Sequence, residues 1–188
     1  MQRENSYFVL VLPKVLTDIL SPLKVVELAS VLAGPSVGMF LAELGCRVIK
    51  FENERTGGDV TRSWKLPIED QSSIRSAYFS SINWGKKHLL VDFSKEKDYA
   101  KVMTAILEAD IVLSNFLPAT ARKWKLDYES IRARNEKIIY AQVSAYGLDS
   151  ARPGYDAIIQ AESGYMSING EMDGIPLKMP VALMDILA

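Results

Sequence analysis

The chain has one cysteine and one histidine among its 188 residues. Cys46 alone cannot close an intrachain disulfide, which fits a reducing, cytoplasmic compartment. With only Cys46 and His88, the usual thiolate and imidazole ligand sets of zinc have no source, so no metal is expected. A Cys46–His88 nucleophile pair would need the two to meet in space, and His88 falls in a polar turn that leads into an apolar strand. An excess of charge of one sign is also missing: 22 Lys and Arg face 23 Asp and Glu, a formal net charge of −1. That excludes the basic excess expected of a nucleic-acid or membrane surface. The basic groups "GKK" at 85–87 and "RKWK" at 122–125 are short and read as solvated turns. No apolar run is long enough to span a bilayer. "YFVLVL" near the N-terminus is cut by Pro13 and Lys14, and no small-residue cleavage site follows it. Residues 1–21 therefore read as an N-terminal extension.

Several ligand signatures are missing too. No G-x-G-x-x-G follows the first strand, where a proline occupies the turn of "LAGPSVG", and no G-x-x-x-x-G-K-[ST] is present. "SAYG" and "ESGYM" lack the G-x-S-x-G elbow, and no histidine lies downstream to complete a serine triad.

What is present is an ordinary globular composition, 48% apolar and 24% charged, in a chain long enough to bury a core without disulfides or metals. Strand-like and helix-like segments alternate after Pro22. "KVVELA" (24–29) reads as a strand and "GPSVGMFLAELG" (34–45) as a helix, with Pro35 at its start and Gly45 past its end. "CRVIKFE" (46–52) returns as a strand, which makes a βαβ unit and implies parallel pairing. Residues 53–75 form a long polar loop of the kind that is often functional. "HLLVDF" (88–93) is the third strand. "SKEKDYAKVMTAILEAD" is a helix with one apolar stripe, capped by Ser94. "DIVLSN" (110–115) and "KIIYAQVSAYG" (137–147) are further strands. Between them Asp127 suits a helix N-cap, with Leu126 and Ile131 placed as a hydrophobic staple. "GYDAIIQAESGYM" (154–166) reads as a helix with Ile158, Ile159, Ala161 and Met166 on its apolar side. The expected fold class is α/β, a Rossmann-like, mainly parallel sheet with helices on both faces. In such sheets ligands bind beyond the carboxyl ends of the strands. Here those ends carry "SVLAGP", "FENERTGGD", "DFS", "SNFLP" and "SAYG".

Taken in order, "VVELASVLAGP" (25–35), "LAELGCRVIKFEN" (41–53), "GGDVTRSW" (57–64), "YFSSINWGKKHLLVDFS" (78–94), "ADIVLSNFLPATARKW" (109–124) and "RPGYDAIIQAESGYMSINGEMDGIPLKMPVALMD" (152–185) resemble the family III coenzyme A transferases. That family includes formyl-CoA transferase, carnitine CoA-transferase and α-methylacyl-CoA racemase. The run "PGYDAIIQAESGYM" looks most like transferases that use short dicarboxylic acyl groups. The resemblance implies a longer protein than this chain, in which residues 22–188 form the N-terminal part of a large Rossmann-like domain. It further implies a small second domain, an interlaced homodimer, and coenzyme A or acyl-CoA as substrate beside a carboxylic acid, with no permanently bound cofactor.

The resemblance also places the family's covalent nucleophile on Asp185. An aspartate before "ILA" is equally a favoured helix N-cap, and the two roles can coexist. A carboxylate needs no general base to attack a thioester, so the shortage of histidine is no objection. The positions matching the family's CoA-binding residues are Leu32, Ala33, Asn53, Val91, Asp92, Phe93, Ser94, Asn115, Phe116, Leu117, Lys123, Pro153, Gly154, Tyr155 and Asp156. Asn53 and Lys123 stand where formyl-CoA transferase has arginines. Lys123 can still meet a phosphate as a point charge, and Arg55 is near enough in sequence to substitute for Asn53. Phe116 and Leu117 suit core packing as well as binding, and Arg62 suits a phosphate contact or a brace for the loop. Tyr155 stands where racemases carry a histidine; a phenol is a poor proton shuttle at neutral pH, which argues for a transferase. Tyr155 is expected to pack at a helix start and touch CoA. Two alternatives stay open: an acyl-CoA racemase of the same family, and a non-catalytic CoA-binding fragment.

Overall fold

The computed structural model describes residues 20–188. The expected N-terminal extension therefore lies outside the described residues except for Leu20 and Ser21. Five strands, β1 (Lys24–Leu28), β2 (Arg47–Asn53), β3 (Lys87–Val91), β4 (Ile111–Ser114) and β5 (Ile139–Gln142), form one all-parallel sheet in the order β3-β2-β1-β4-β5. The chain leaves β1 in one direction to build β2 and β3, then crosses back to build β4 and β5. The strand order thus reverses beside β1, and the loops after β1 and β4 face each other across that point, where open α/β sheets bind ligands.

Helices cover both faces, as the alternation of apolar segments requires. Helix α1 (Ala33–Glu43) lies on one face. There Leu41 and Ala42 pack with Val25, Cys46, Val48 and Ile111. Helix α3 (Glu96–Leu107) lies on the other. Its Val102, Met103 and Ile106 join Val26, Leu28, Phe51, Val91 and Val112 in the main core. Short helices fill the connections: α2 (Ala77–Ser81), α4 (Pro118–Lys123), α5 (Tyr128–Arg132), α6 (Asp156–Glu162) and α7 (Leu183–Leu187). Asp127 caps α5 by accepting from Ser130 N at 3.2 Å. Leu126 and Ile131 are both fully buried beside it, as a staple demands.

Four local expectations are corrected. Ser94 does not cap α3. Its amide and hydroxyl both donate to Asp92 Oδ1 (2.9 and 2.7 Å), so Asp92 builds a turn and the helix starts two residues later. Helix α1 begins at Ala33, so Pro35 is its third residue, still within the turn whose N–H groups lack intrahelical partners. Gly45 follows the helix at φ 99°, as expected of a residue past the end. Lys86 of "GKK" is not in a solvated turn, since its side chain is 0% exposed. Helix α6 does not bury the Ile158–Ala161 side. Ile158 is 40% exposed while Gln160 is fully buried, because a polar pair on that helix holds the segment carrying Asp185.

Candidate active site

Beneath the strand ends lies a buried network of charge. Glu27 and Lys50 are register partners on β1 and β2, and both side chains are 0% exposed under α1. Lys50 Nζ donates to Glu27 Oε1 (2.8 Å) and Ala29 O (2.5 Å) and lies 3.0 Å from Asp59 Oδ2. Lys86 Nζ donates to Pro35 O (2.6 Å) and Asn83 Oδ1 (2.9 Å). It lies 2.8 Å from Glu27 Oε2, to which no well-directed hydrogen bond is made. Two ammonium groups thus face two carboxylates, the neutral balance that buried charges need. The helix above can come this close because residue 38 is glycine: a Cβ there would fall 1.9 Å from Glu27 Oε2. The network reaches the surface through Asp59, which accepts from Val31 N at 3.2 Å. Val31 sits at φ 72°, a left-handed conformation that a β-branched residue adopts only under constraint.

Asn115 closes the crevice at the strand reversal. Its Oδ1 accepts from Ser30 N (3.1 Å) and its Nδ2 donates to Ser30 O (2.8 Å), so it clasps the loops after β1 and β4 together. Glu52, at the end of β2, holds the long loop. It accepts from Asp59 N (2.8 Å), from Arg62 through two nitrogens (2.7 and 2.6 Å), and contacts His88 Nδ1 at 2.9 Å. Burial alone would raise its carboxyl; these hydrogen bonds outweigh it and hold it well below the usual carboxylate range. Arg62 therefore braces the loop, its guanidinium 3.8 Å over the Phe79 ring. His88 and the buried thiol of Cys46 have separate surroundings, Glu52 for one and Leu20 O for the other.

Three cavities run in sequence over the strand ends. The middle one, about 530 Å³, is lined by Ala29, Ser30, Asn53, Gly57, Asp59, Phe93, Phe116 and Trp124, among others. Phe93 and Trp124 also border a cavity of about 350 Å³ that carries Lys123, Lys125, Arg134, Ser94 and Glu96. Phe116 also borders a cavity of about 330 Å³ that contains Asn115, Leu117, Arg152, Gly154, Tyr155 and Asp185. Phe93 stacks edge-on to Phe116 (6.2 Å) and lies 5.7 Å from Trp124, an aromatic wall along the middle cleft.

Asp185 is not an N-cap; it stands inside α7, whose N-cap is Ala182. Its segment is tied down by α6. Asp156 Oδ1 accepts from Met184 N (2.8 Å), and Asp156 Oδ2 accepts from Gln160 Nε2 (2.6 Å). Gln160 donates to Val181 O (3.2 Å) and accepts from Met179 N (2.8 Å). Burial, and then the charge of Asp156, push the Asp185 carboxyl above its ordinary range. Burial followed by the charges of Asp185, Asp59 and Asp156 raises the Tyr78 phenol. An ionised carboxylate with a raised pKa, half-buried beside an apolar wall, can act as a nucleophile without a partner base.

The other sequence-derived positions divide by location. Leu32 and Ala33 start α1, with Leu32 buried. Val91 is wholly in the core. Asp92 is buried and engaged in its turn. Pro153 is exposed on the loop before α6. Asn53 caps the turn after β2, accepting from Arg55 N at 3.0 Å. Tyr155 is the N-cap of α6 and 64% exposed, not packed. Sequence reading missed Glu27, Lys50, Asp59 and Lys86. The available signal, for Glu27 and Lys50, was charge inside two apolar inner strands: Glu27 in "VVELA", and Lys50, with Glu52, in "VIKFE". Among the described residues no cluster of His, Cys, Asp and Glu could hold a metal ion, and no helix is long and apolar enough to cross a membrane.

The sequence model of CoA-transferase family III matches residues 20–188. The chain belongs to CoA-transferase family III. It is 42% identical over 173 residues to the succinate–glutarate CoA-transferase of Agrobacterium fabrum, covering 89% of this chain and 43% of that protein. It is 37% identical over 175 residues to the mouse (Mus musculus) succinyl-CoA:glutarate CoA-transferase, covering 90% of this chain and 39% of that protein. The crystal structure of a CaiB/BaiF family protein from Brucella suis superposes with a TM-score of 0.82 at 42% identity, covering 89% of this chain and 45% of that one. The chain thus spans less than half the length of each, and its five-stranded sheet is part of a Rossmann-like family III domain.

Proposed function

We propose that this chain carries the CoA cleft and the nucleophile of a transferase that moves coenzyme A between carboxylic acids. The observation that carries the reading is that three cavities adjoin through shared lining residues, Phe93 and Trp124 on one side and Phe116 on the other, and the last contains a half-buried carboxylate pinned from behind. The cationic cavity with Lys123, Lys125 and Arg134 suits the phosphates of CoA. The aromatic middle cleft, bordered by Asn53, Phe93 and Phe116, suits the pantetheine arm, and the far cavity, which Asp185 lines, suits the thioester. Leu32 and Ala33 take part through the start of α1, and Val91 and Asp92 shape the turn that presents Phe93 and Ser94. Pro153, Gly154 and Asp156 shape the turn that presents Tyr155.

The Asp185 carboxylate attacks the acyl carbon of the donor acyl-CoA. The C–S bond breaks, and the CoA thiolate leaves with its electron pair, giving an acyl–aspartyl anhydride. The thiolate attacks the aspartyl carbonyl, which releases the donor acid and leaves an aspartyl–CoA thioester. The acceptor carboxylate displaces the thiolate to form a second anhydride, and the thiolate then attacks the acceptor's acyl carbon and frees Asp185. Water must stay out while either anhydride stands, and the apolar residues Phe116, Leu117, Ile159 and Met184 around Asp185 serve that need.

The reading includes a reducing, cytoplasmic setting, supported by the free, buried Cys46. It also includes an interlaced homodimer. Between α6 and α7, Ile168, Met172 and Ile175 are 79%, 95% and 77% exposed and need cover. Racemisation is not favoured, because Tyr155 replaces the histidine it would use and the relatives described above are named as transferases.

The test is chemical trapping. The protein is incubated with an acyl-CoA and then hydroxylamine, and peptides are mapped by mass spectrometry. A hydroxamate on Asp185, absent in Asp185→Asn, is the expected result. Failure to find it under any acyl-CoA would leave a binding function only, and α-deuterium exchange without acyl transfer would instead mark a racemase.

A further inference from the structure

The cavity that holds Asp185 is lined mostly by apolar residues, with the neutral polar residues Asn115, Ser144 and Tyr155 and one cationic residue, Arg152. Its negative charge is considerable. Asp185 lines it, and Asp156 stands behind the same segment, bonded to Met184 N. An acyl group carrying its own carboxylate would enter against both charges unless a cation received it.

Arg152 is set up as such a receiver. Its guanidinium lies 4.2 Å over the Tyr146 ring, and its Nη2 donates to Glu162 Oε1 at 2.5 Å. Tyr146 donates its hydroxyl to the other oxygen of Glu162 at 2.8 Å. The Tyr146 and Glu162 side chains fix the plane of the guanidinium while occupying one of its nitrogens. Arginine has five N–H donors in a planar fork that matches a carboxylate through two parallel bonds. The remaining fork is not engaged by the described residues, and the side chain is 59% exposed. A cavity of about 330 Å³ shared with CoA's reacting end leaves space for a short spacer between Asp185 and Arg152.

We propose that Arg152 selects the acyl group, by binding the second carboxylate of a short dicarboxylic acyl donor or acceptor whose first carboxyl carbon reacts at Asp185. This rests on the reading of Asp185 as the site of acyl transfer. The second carboxylate contributes only orientation and binding, so atoms and charges at the reacting carbon are those of the transfer itself.

The experiment compares succinyl-CoA with butyryl-CoA, which share the spacer and differ in the terminal group. Rates of Asp185 hydroxamate formation are measured by mass spectrometry in the wild type, Arg152→Met and Arg152→Lys. The wild type should favour succinyl-CoA, and Arg152→Met should lower the succinyl-to-butyryl ratio by about 10- to 100-fold. Arg152→Lys should recover part of the ratio through charge alone. A structural role for Arg152 would slow both donors together and leave the ratio in place. A change in ratio of less than about threefold overturns the proposal. Binding of free succinate and of butyrate is followed by NMR in the same proteins as a second arm. If the wild type forms no adduct with either donor, acyl transfer at Asp185 is what fails. Loss of succinate binding in Arg152→Met then still supports the carboxylate site, and unchanged binding overturns it.

Discussion

Replacing Lys50 with methionine tests whether the buried charge network is a unit. The methionine side chain keeps the apolar stem but leaves Asp59 and Glu27 sharing a single cation, Lys86, in a region where all four native side chains are 0% exposed. Removing one partner of a buried ion pair costs about 3–5 kcal/mol, because the partner's charge is left desolvated. Domains of this kind have stabilities of about 5–15 kcal/mol, so the variant still folds in buffer. With a urea slope of about 2 kcal/mol/M, the midpoint should fall by about 1.5–2.5 M. Unfolding can be followed by the fluorescence of Trp64, Trp84 and Trp124. The informative comparison is Lys50→Met with Asp59→Asn. The double variant keeps the Lys86–Glu27 pair and restores neutrality, while the asparagine carbonyl that replaces the Asp59 carboxylate can still accept from Thr61 N and Val31 N. It should lose less than the sum of the single variants by about 1–3 kcal/mol. Additive losses, or a midpoint shift under about 0.5 M in Lys50→Met, would refute the account of a mutually compensating network. Because Asp59 also holds Val31 at φ 72°, Asp59→Ala should loosen the turn over the middle cavity. That variant should weaken CoA binding, measured by titration calorimetry.

Other outcomes follow from the same geometry. Asp156→Asn removes the charge that helps raise Asp185 and turns an acceptor toward the Gln160 amide into a donor. The acid limb of the Asp185 trapping rate should move to lower pH, and the rate should fall about tenfold as the segment loses its tether. Burial pushes the Lys86 ammonium down from 10.5 to about 8. Between those two values the unfolded chain holds a proton that the folded one has lost, so stability should rise with pH through this window. The gain from this group is about 3 kcal/mol at most, and Lys86→Met should flatten the rise in the urea midpoint. Gly38→Ala would ordinarily strengthen a helix by about 1 kcal/mol. Here the new Cβ meets Glu27 Oε2 at 1.9 Å, so thermal unfolding should show a loss of about 1–3 kcal/mol instead.

The strands were legible because their apolar runs and the Gly and Pro punctuation agree with the burial of a parallel sheet. The Asp127 cap and its staple were legible because both are local, needing only residues five apart. Two of the misreadings, at Lys86 and in α6, share one cause, the satisfaction of polar groups by partners distant in sequence. Lys86 is buried because Glu27 and Pro35 O, both far from it in sequence, receive it together with the nearby Asn83, and nothing near "GKK" announces the two distant partners. Helix α6 turns its Asp156–Gln160 side inward because the backbone of residues 179–184 supplies partners, whereas its apolar residues gave the opposite expectation. Ser94 lost its capping role to an Asx turn that uses the same hydroxyl. Asp185 could be located by resemblance. Its placement in the first turn of α7, and the presence of Arg152 in the lining of the same cavity, needed the three-dimensional arrangement.

Among the described residues Phe116 alone borders both the middle cavity and the cavity of Asp185. Under the function proposed above, any change of its size alters two fits at once, that of the CoA arm and that of the acyl group. Divergence toward new acids is therefore obstructed at this position, since a gain in one substrate would be offset by weaker hold on the carrier common to all. Leu117, Val143, Ile159 and Met184 border the cavity of Asp185 and not the middle one. Under the same proposal they are the positions at which one acid can be exchanged for another while leaving the shared carrier untouched.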